Sequence, residues 1–380
     1  MAKSSVEQMI AQTFLALADS LERGGNAPHV RIALTGIGSE HGEETVLEGA
    51  LAAKKKGIQV VYIGSKTQSG LECVYAGTEQ EAHARMEELL STKQVDGAVT
   101  MHYPFPIGVA TVGRVPTPGR GREVYLATTT GTAATRRLDA LVRNTVLGIA
   151  AAKACGIAHP TVGLLNLDGA RQAEAALRRL KQNGYELEFA ESGRADGGCV
   201  MRGNDLLSGV CDVMVCDSLT GNILQKMLSS FTTGGGYEPV GSGYGPGLGE
   251  GFEKLVMIVS RASGAPVIVG ALEYAAQLVA GNYLDVLKQE CSQANRAGLS
   301  KIAERRAEPA EETVTAPAKQ IVTHEITGVE VTDVEDAVRT LWKGGIYAES
   351  GMGCTGPVIL VAEEKAEAAE ASLHAGGWLA

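Results

Sequence analysis

The sequence is poor in aromatic residues, poor in positive charge and without closely paired cysteines, and each shortage removes a class of function. Aromatic side chains make up 4% of the 380 residues. Lys and Arg number 34 against 44 Asp and Glu, a formal net charge of −10. That balance speaks against a nucleic-acid or anionic-membrane surface, although a local basic site can still hold an anion. The seven cysteines, at positions 73, 155, 199, 211, 216, 291 and 354, include no CxxC pair. Such scattered spacing fits neither a secreted disulfide framework nor a zinc site. The first residues lead into an amphipathic pattern rather than an apolar signal core. The most apolar long stretch, Ala262 to Gly281, is interrupted by Pro266, Glu273 and Gln277, so it reads as a buried strand followed by a helix and not as a membrane span. The expectation is a cytoplasmic protein.

What is abundant is glycine: 48 residues, roughly one in eight against an ordinary share of about 7%. With 44% apolar and 21% charged residues, the composition suits a globular chain of two or three domains. Ser5-Val-Glu-Gln8 has the form of a capping box, and Val6, Met9, Ile10, Phe14, Leu17 and Leu21 share one helical face. From Val30 apolar runs alternate with helical stretches. The runs at Val30–Leu34, Gln59–Ile63, Gly97–Met101, Val124–Ala127, Val162–Leu167, Leu187–Ala190, Asp212–Cys216 and Pro266–Val269 read as strands. Helical patterns such as Glu43–Lys56, Glu79–Leu90, Thr135–Ala154 and Ala170–Gln182 fall between them. Short apolar runs joined through helices predict an α/β fold with a doubly wound, mainly parallel sheet. Ligands of such sheets sit beyond the carboxyl ends of the strands, so the functional turns are expected to gather at one edge.

Two segments break the alternation. Gly234 to Gly249 is too glycine-rich for a regular element and reads as a mobile loop, and Glu304–Lys319 is charged and rich in Ala and Pro, as linkers are. The expected organisation is an N-terminal helix (1–29), a core (30–303), a linker (304–320) and a small C-terminal α/β unit (321–380). In that unit Thr332-Asp-Val-Glu335 has the form of a helix cap, and a GMGCTGP segment leads into a strand at Val358–Val361. No internal repeat is present.

Three segments hold candidate chemistry. Thr35 to Glu44, TGIGSEHGEE, follows a strand and opens a helix. Gly36, Gly38 and Gly42 let backbone N–H groups approach an anion there, or simply make a tight turn; His41 is either a ligand or a structural hydrogen-bonder. A dinucleotide fingerprint fits poorly, because the spacing is GxGxxxG and the next strand ends in Gly64-Ser65-Lys66 without an acid for a ribose. The second segment is Cys211 to Lys226, where a strand ends at Asp217 and Thr220-Gly221-Asn222 opens a helix. Hydroxyl, glycine and amide in that place either cap the helix or bind phosphate oxygens, with Asp217 orienting them; Cys211 and Cys216 read as core residues. The third is Gly351-Met-Gly-Cys354-Thr-Gly-Pro. Three glycines leave the Cys354 thiol approachable and can aim N–H dipoles at a thiolate or an oxyanion, while the alternative is an ordinary structural cysteine.

The ordered motifs RIALTGIGSEHGEETVLEGALAA, HPTVGLLNLDG, ADGGCVMRGNDLLSGVCDVMVCDSLTGNILQK and GAPVIVGA resemble the phosphate acyltransferases of phospholipid synthesis (the PlsX family) over roughly residues 30–300. That resemblance implies a fold shared with phosphotransacetylases and isopropylmalate dehydrogenases. The chain departs from that family at Thr100-Met-His-Tyr-Pro-Phe-Pro106, at Ser218-Leu after the aspartate, and in its extra C-terminal unit. Tail included, it is similar to the family of component C alpha subunits of glycine/sarcosine/betaine reductases. This resemblance implies that Cys354 carries an acetyl thioester, formed from a carboxymethyl-selenoether on a selenoprotein (component A). Inorganic phosphate, a substrate and not a bound cofactor, then releases acetyl phosphate. Phosphate or acyl phosphate would be held by Gly36, Gly38, His41, Gly42, Asp217, Thr220, Gly221 and Asn222, with no metal and no covalently bound cofactor. The implied partners are a component C beta subunit and component A. Self-association of the core is also expected, through apolar helices around Leu255–Ile258. The alternatives are an acyltransferase working on acyl carrier protein, and a non-catalytic scaffold for a beta subunit.

Overall fold

The computed structural model describes residues 30–194, 197–302, 314–329, 333–353 and 356–379. The expected N-terminal helix, residues 304–313 of the expected linker and the capping Thr332 lie outside them. The core opens with β1 (Arg31–Thr35), α1 (Gly42–Lys55), β2 (Gln59–Gly64), β3 (Glu72–Tyr75), α2 (Glu79–Ser91) and β4 (Gly97–Thr100). A hairpin of β5 (Val109–Pro116) and β6 (Glu123–Thr132) follows, then α3 (Arg137–Ala154), β7 (Thr161–Leu165) and α4 (Ala170–Gln182). Next come β8 (Glu188–Phe189), β9 (Val200–Met201), α5 (Gly203–Ser208), β10 (Val213–Val215) and α6 (Ser218–Ser229). The core closes with β11 (Gly245–Leu248), β12 (Val256–Ile258), α7 (Ala265–Ala280), α8 (Tyr283–Arg296) and α9 (Leu299–Ile302).

The twelve strands make one sheet in the order β3-β2-β1-β4-β12-β11-β5-β6-β10-β7-β8, with β9 also beside β7. From β3 to β12 every pairing is parallel. From β6 through β10 and β7 to β8 and β9 every pairing is parallel as well. Between the two runs lie three antiparallel junctions, β12 with β11, β11 with β5, and β5 with β6. An odd number of reversals turns the second run against the first. The carboxyl ends of β1 and β4 therefore leave one edge of the sheet, and those of β6 and β10 leave the other, which corrects the expectation of a common edge.

Strand alternation builds the layers. Ile32, Leu34, Val60, Tyr62, Tyr125, Val213 and Val215 face one core, shared with α1, α3, α7 and α8, that runs under both halves of the sheet. On the opposite face the core is divided. Ala33, Val61, Ile63 and Ala98 pack under α2, whereas Val124, Leu126 and Met214 pack with Leu206, Leu224 and Leu228 of α5 and α6. The amphipathic pattern of α1, with Val46, Leu47, Ala50 and Ala53 buried, seats it on the shared core.

Three expectations are overturned here. The glycine-rich segment is not a loop throughout, since Gly245–Leu248 is a fully buried strand at the centre of the sheet. Leu255–Ile258 forms no helix: Val256–Ile258 is the buried strand β12, closed in by β4 and β11 and thus covered by its own chain. Pro266–Val269 is the first turn of α7, because Gly264 in extended conformation and Pro266 in the opening turn set a helix start. No single helix among the described residues is long and apolar enough to cross a membrane.

The C-terminal residues form a separate antiparallel sheet of β13 (His324–Thr327), β14 (Ala348–Gly353) and β15 (Gly356–Val361), in the order β13-β15-β14. Helices α10 (Val334–Lys343) and α11 (Ala366–Ala375) bury Val334, Val338, Leu341 and Leu373 against Ile326, Ile359 and Val361. Gly353 pairs with Gly356; Cys354 and Thr355, which join these two strands, lie outside the described residues.

Candidate functional site

The turn after β10 is built around one helix start. Asp217 caps α6: its Oδ1 accepts the Thr220 N–H at 2.9 Å and its Oδ2 accepts the Thr220 hydroxyl at 2.9 Å. Gly221 is there for close approach, since a Cβ would overlap the Thr128 carbonyl oxygen of β6. With the Thr220 and Gly221 N–H groups committed to Asp217, the first N–H groups of the helix, at Ser218 and Leu219, have no intrahelical acceptor and carry its positive end.

In front of that end lies a cavity of about 160 Å³. Asp217 and Ser218 form one wall, and Thr128, Thr132, Thr135, Arg137, Leu141 and Asn144 are among the residues opposite. Asn144 is 2% exposed. Its amide donates to the Cys216 carbonyl at 3.1 Å, which fixes the orientation of the group. Its Oδ1 is buried and has no hydrogen-bond partner among the described residues. Arg137 brings a cation, held among the described residues by a surface pair with Asp168 at 3.1 Å in which both side chains are more than half exposed. A pair of that kind is weak enough for the guanidinium to turn to another anion. Arg137, the first residue of the helix and the buried Asn144 thus line one small space, which suits an anion.

The turn after β1 has the same plan and a different filling. Gly38 and Gly42 adopt φ of +101° and +82°, and Gly36 leaves room for the Tyr62 hydroxyl. Glu43 in the first turn of α1 accepts the Ser65 N–H at 2.9 Å and also bonds the Ser65 and Tyr62 hydroxyls. Burial pushes the Glu43 carboxyl up, but those hydrogen bonds outweigh it and hold the group below its ordinary value. Glu44 pairs with Lys66. Arg261 donates to the Gly38 carbonyl at 3.0 Å and to both Glu79 oxygens. The His41 ring nitrogen is 3.2 Å from the Ala262 carbonyl and its ring lies edge-on to Tyr237. This turn already holds its own carboxylates.

Of the predicted residues, Asp217 lines the cavity while Thr220 and Gly221 build the helix start behind it. Asn222 follows Gly221 directly in α6 and does not line the cavity. Gly36, Gly38, His41 and Gly42 are at the opposite sheet edge and are not brought to the cavity. Sequence reasoning missed Asn144 and Arg137. A polar pair, Asn144-Thr145, inside the apolar run Leu141–Ala152 of α3 was the available signal. A larger cavity of about 460 Å³ lies between residues 249–253 and α8, walled by Phe252, Leu284, Leu287 and Cys291, and involves none of the predicted residues. Cys211 and Cys216 are fully buried. Burial pushes the Cys211 thiol up to about 12 and raises the Cys216 thiol further, so neither is a nucleophile near neutral pH.

A family model described as "Fatty acid synthesis protein" matches residues 30–360. The glycine/sarcosine/betaine reductase complex component C subunit alpha of Peptoclostridium acidaminophilum is 53% identical over 384 residues, covering 99% of this chain and 100% of that protein. The chain belongs to this family of component C alpha subunits. A phosphate acyltransferase of Thermus thermophilus is 29% identical over 235 residues, or 52% of this chain and 70% of that protein. Among solved structures, a branched-chain phosphotransacylase from Enterococcus faecalis V583 aligns with 66% of this chain and 99% of its own, at 16% identity and a TM-score of 0.49.

Proposed function

We propose that this chain is the acetyl-transferring alpha subunit of a glycine, sarcosine or betaine reductase complex. Cys354 carries an acetyl thioester, and inorganic phosphate bound in the cavity before α6 releases it as acetyl phosphate. The observation that supports the phosphate half is one small cavity lined by the start of α6, Arg137 and the buried Asn144, whose Oδ1 has no hydrogen-bond partner among the described residues. Hydrogen phosphate offers charged oxygens to the Ser218 and Leu219 N–H groups and to Arg137, and its single O–H to Asn144.

In the transfer step a phosphate oxygen adds to the thioester carbonyl carbon. The carbon–sulfur bond breaks, sulfur leaves as thiolate, and it takes the proton that phosphate brought. No oxidant or reductant enters this step. The thioester comes from a carboxymethyl selenoether on the selenoprotein component A. The carbon–selenium bond breaks, a thiol of that partner supplies the two electrons and is left joined to the selenium, and the methylene carbon takes a proton. One carboxylate oxygen leaves as water as the Cys354 sulfur bonds the carbonyl carbon. A beta subunit completes component C. Cysteine suits both halves of the cycle, because thiolate is at once a strong nucleophile and a good leaving group.

Replacing Cys354 by Ala in the reconstituted complex should abolish acetyl phosphate formation. The 29% identity to a phosphate acyltransferase favours a second reading, in which the acyl thioester sits on a separate carrier protein. A Cys354→Ala complex that still made acyl phosphate would decide for that second reading.

A further inference from the structure

In the small C-terminal sheet β14 pairs with β15 on one side and, among the described residues, with no strand on the other. Antiparallel neighbours alternate between pairs that exchange backbone hydrogen bonds and pairs whose N–H and C=O groups point away from each other. Met352 stands opposite Pro357, and proline has no N–H to exchange, so this pair is of the second kind. Two and four residues back, so are Ser350 with Ile359 and Ala348 with Val361. The Ala348 carbonyl agrees with that phase: it points outward and accepts the Trp342 indole N–H at 3.0 Å. The N–H and C=O groups of Ser350 and Met352 are then the ones presented at the free edge. Among the described residues neither makes a backbone hydrogen bond outside the sheet, and Ser350 is exposed. Edge strands are ordinarily blunted by proline or by charge. The far edge, β13, has His324 within 3.6 and 3.8 Å of Glu363 and Glu370. β14 has no proline and one charged residue, Glu349, whose carboxylate is engaged by Tyr347 and Lys319.

We infer that the free edge of β14 takes an extended segment of the polypeptide that delivers the carboxymethyl selenoether, added to the sheet as a further strand. Unpaired backbone donors and acceptors at a strand spacing are matched by another extended backbone, which supplies affinity through its own N–H and C=O groups. The inference rests on the reading of Cys354 as the acetyl carrier. Cys354 is the second residue after Met352 in the sequence, about 7 Å at most of extended chain. A strand paired at Ser350 and Met352 is therefore brought alongside the segment that carries the thiol.

The test is amide hydrogen exchange at single-residue resolution on the alpha–beta complex, with and without carboxymethylated component A. Without it, the Ser350 and Met352 amides should exchange fast, while that of Gly351, turned to β15, should exchange slowly. With it, exchange at Ser350 and Met352 should slow at least about tenfold. A Cys354→Ala complex should show the same protection, because the edge binds without the thiol. Protection there separates this inference from the chemistry assigned to Cys354. Ser350→Pro removes an outward N–H and leaves the β14–β15 ladder intact. Circular dichroism should be unchanged, and the component A concentration needed for acetyl transfer should rise roughly tenfold. Three outcomes overturn the inference: fast exchange at Ser350 and Met352 in a complex that has bound component A, an edge already protected by the beta subunit alone, or a folded Ser350→Pro chain that component A saturates as it does the wild type.

Discussion

Two turns of this molecule look alike in sequence and differ in what they can do. Each follows a buried parallel strand, contains glycine and opens a helix. After β1, the positive end of α1 meets Glu43 and Glu44 from its own first turn, and the nearby cations Lys66 and Arg261 are engaged by Glu44 and Glu79. After β10, the first turn of α6 contains no acidic residue, its cap uses only the Thr220 and Gly221 N–H groups, and Arg137 and Asn144 face the space beyond. A helix N-terminus favours an anion wherever it occurs; whether a ligand is that anion depends on whether the chain has supplied its own.

The two turns should differ most in phosphate dependence. Asn144→Ala should raise the phosphate concentration needed for acetyl phosphate formation about 10–150-fold, the equivalent of roughly 1.5–3 kcal/mol for a hydrogen bond to a charged group. His41→Ala at the other turn should leave it unchanged, and steady-state kinetics at varied phosphate measures both. Asn222→Ala, outside the cavity wall, should fall between them. Gly221→Ala presses a methyl group onto the Thr128 carbonyl and should destabilise the fold by about 1–3 kcal/mol, read as a lowered denaturation midpoint. Asp217→Ala removes the cap and should cost about 1 kcal/mol in the same assay.

The smallest effect is a pH dependence confined to the first turn. The hydrogen bonds to Glu43 lower its pKa on folding, so its contribution is fully present above the unfolded glutamate value of 4.5. It is lost as pH falls through the lower folded value. Glu43→Gln should flatten that acid limb in pH-dependent unfolding and leave the phosphate requirement alone.

The sequence was readable where residues answer to local rules. The strands at Val30–Leu34, Gln59–Ile63 and Asp212–Cys216 are apolar runs bounded by turn residues, and they lie within a residue or two of β1, β2 and β10. Legibility failed where the sheet reverses. Gly245-Pro-Gly-Leu248 has little strand propensity; it is a strand because its glycines allow the Val112 carbonyl and the Phe105 ring to press against it. That reversal is a property of the whole sheet, so the separation of the two glycine turns could not be read from either turn. Asn144 was hidden for a related reason: its importance comes from the carbonyl of Cys216, 72 residues away.

In the proposed cycle an acetyl group passes through Cys354 to phosphate. The direct measurement is peptide mass spectrometry on the complex supplied with the carboxymethylated selenoprotein, first without phosphate and then after a phosphate chase. An acetyl group should be found on the Cys354 peptide and should disappear on the chase as acetyl phosphate appears in equal amount. An acetyl group mapped to another cysteine, or one on Cys354 that phosphate does not discharge, would contradict it.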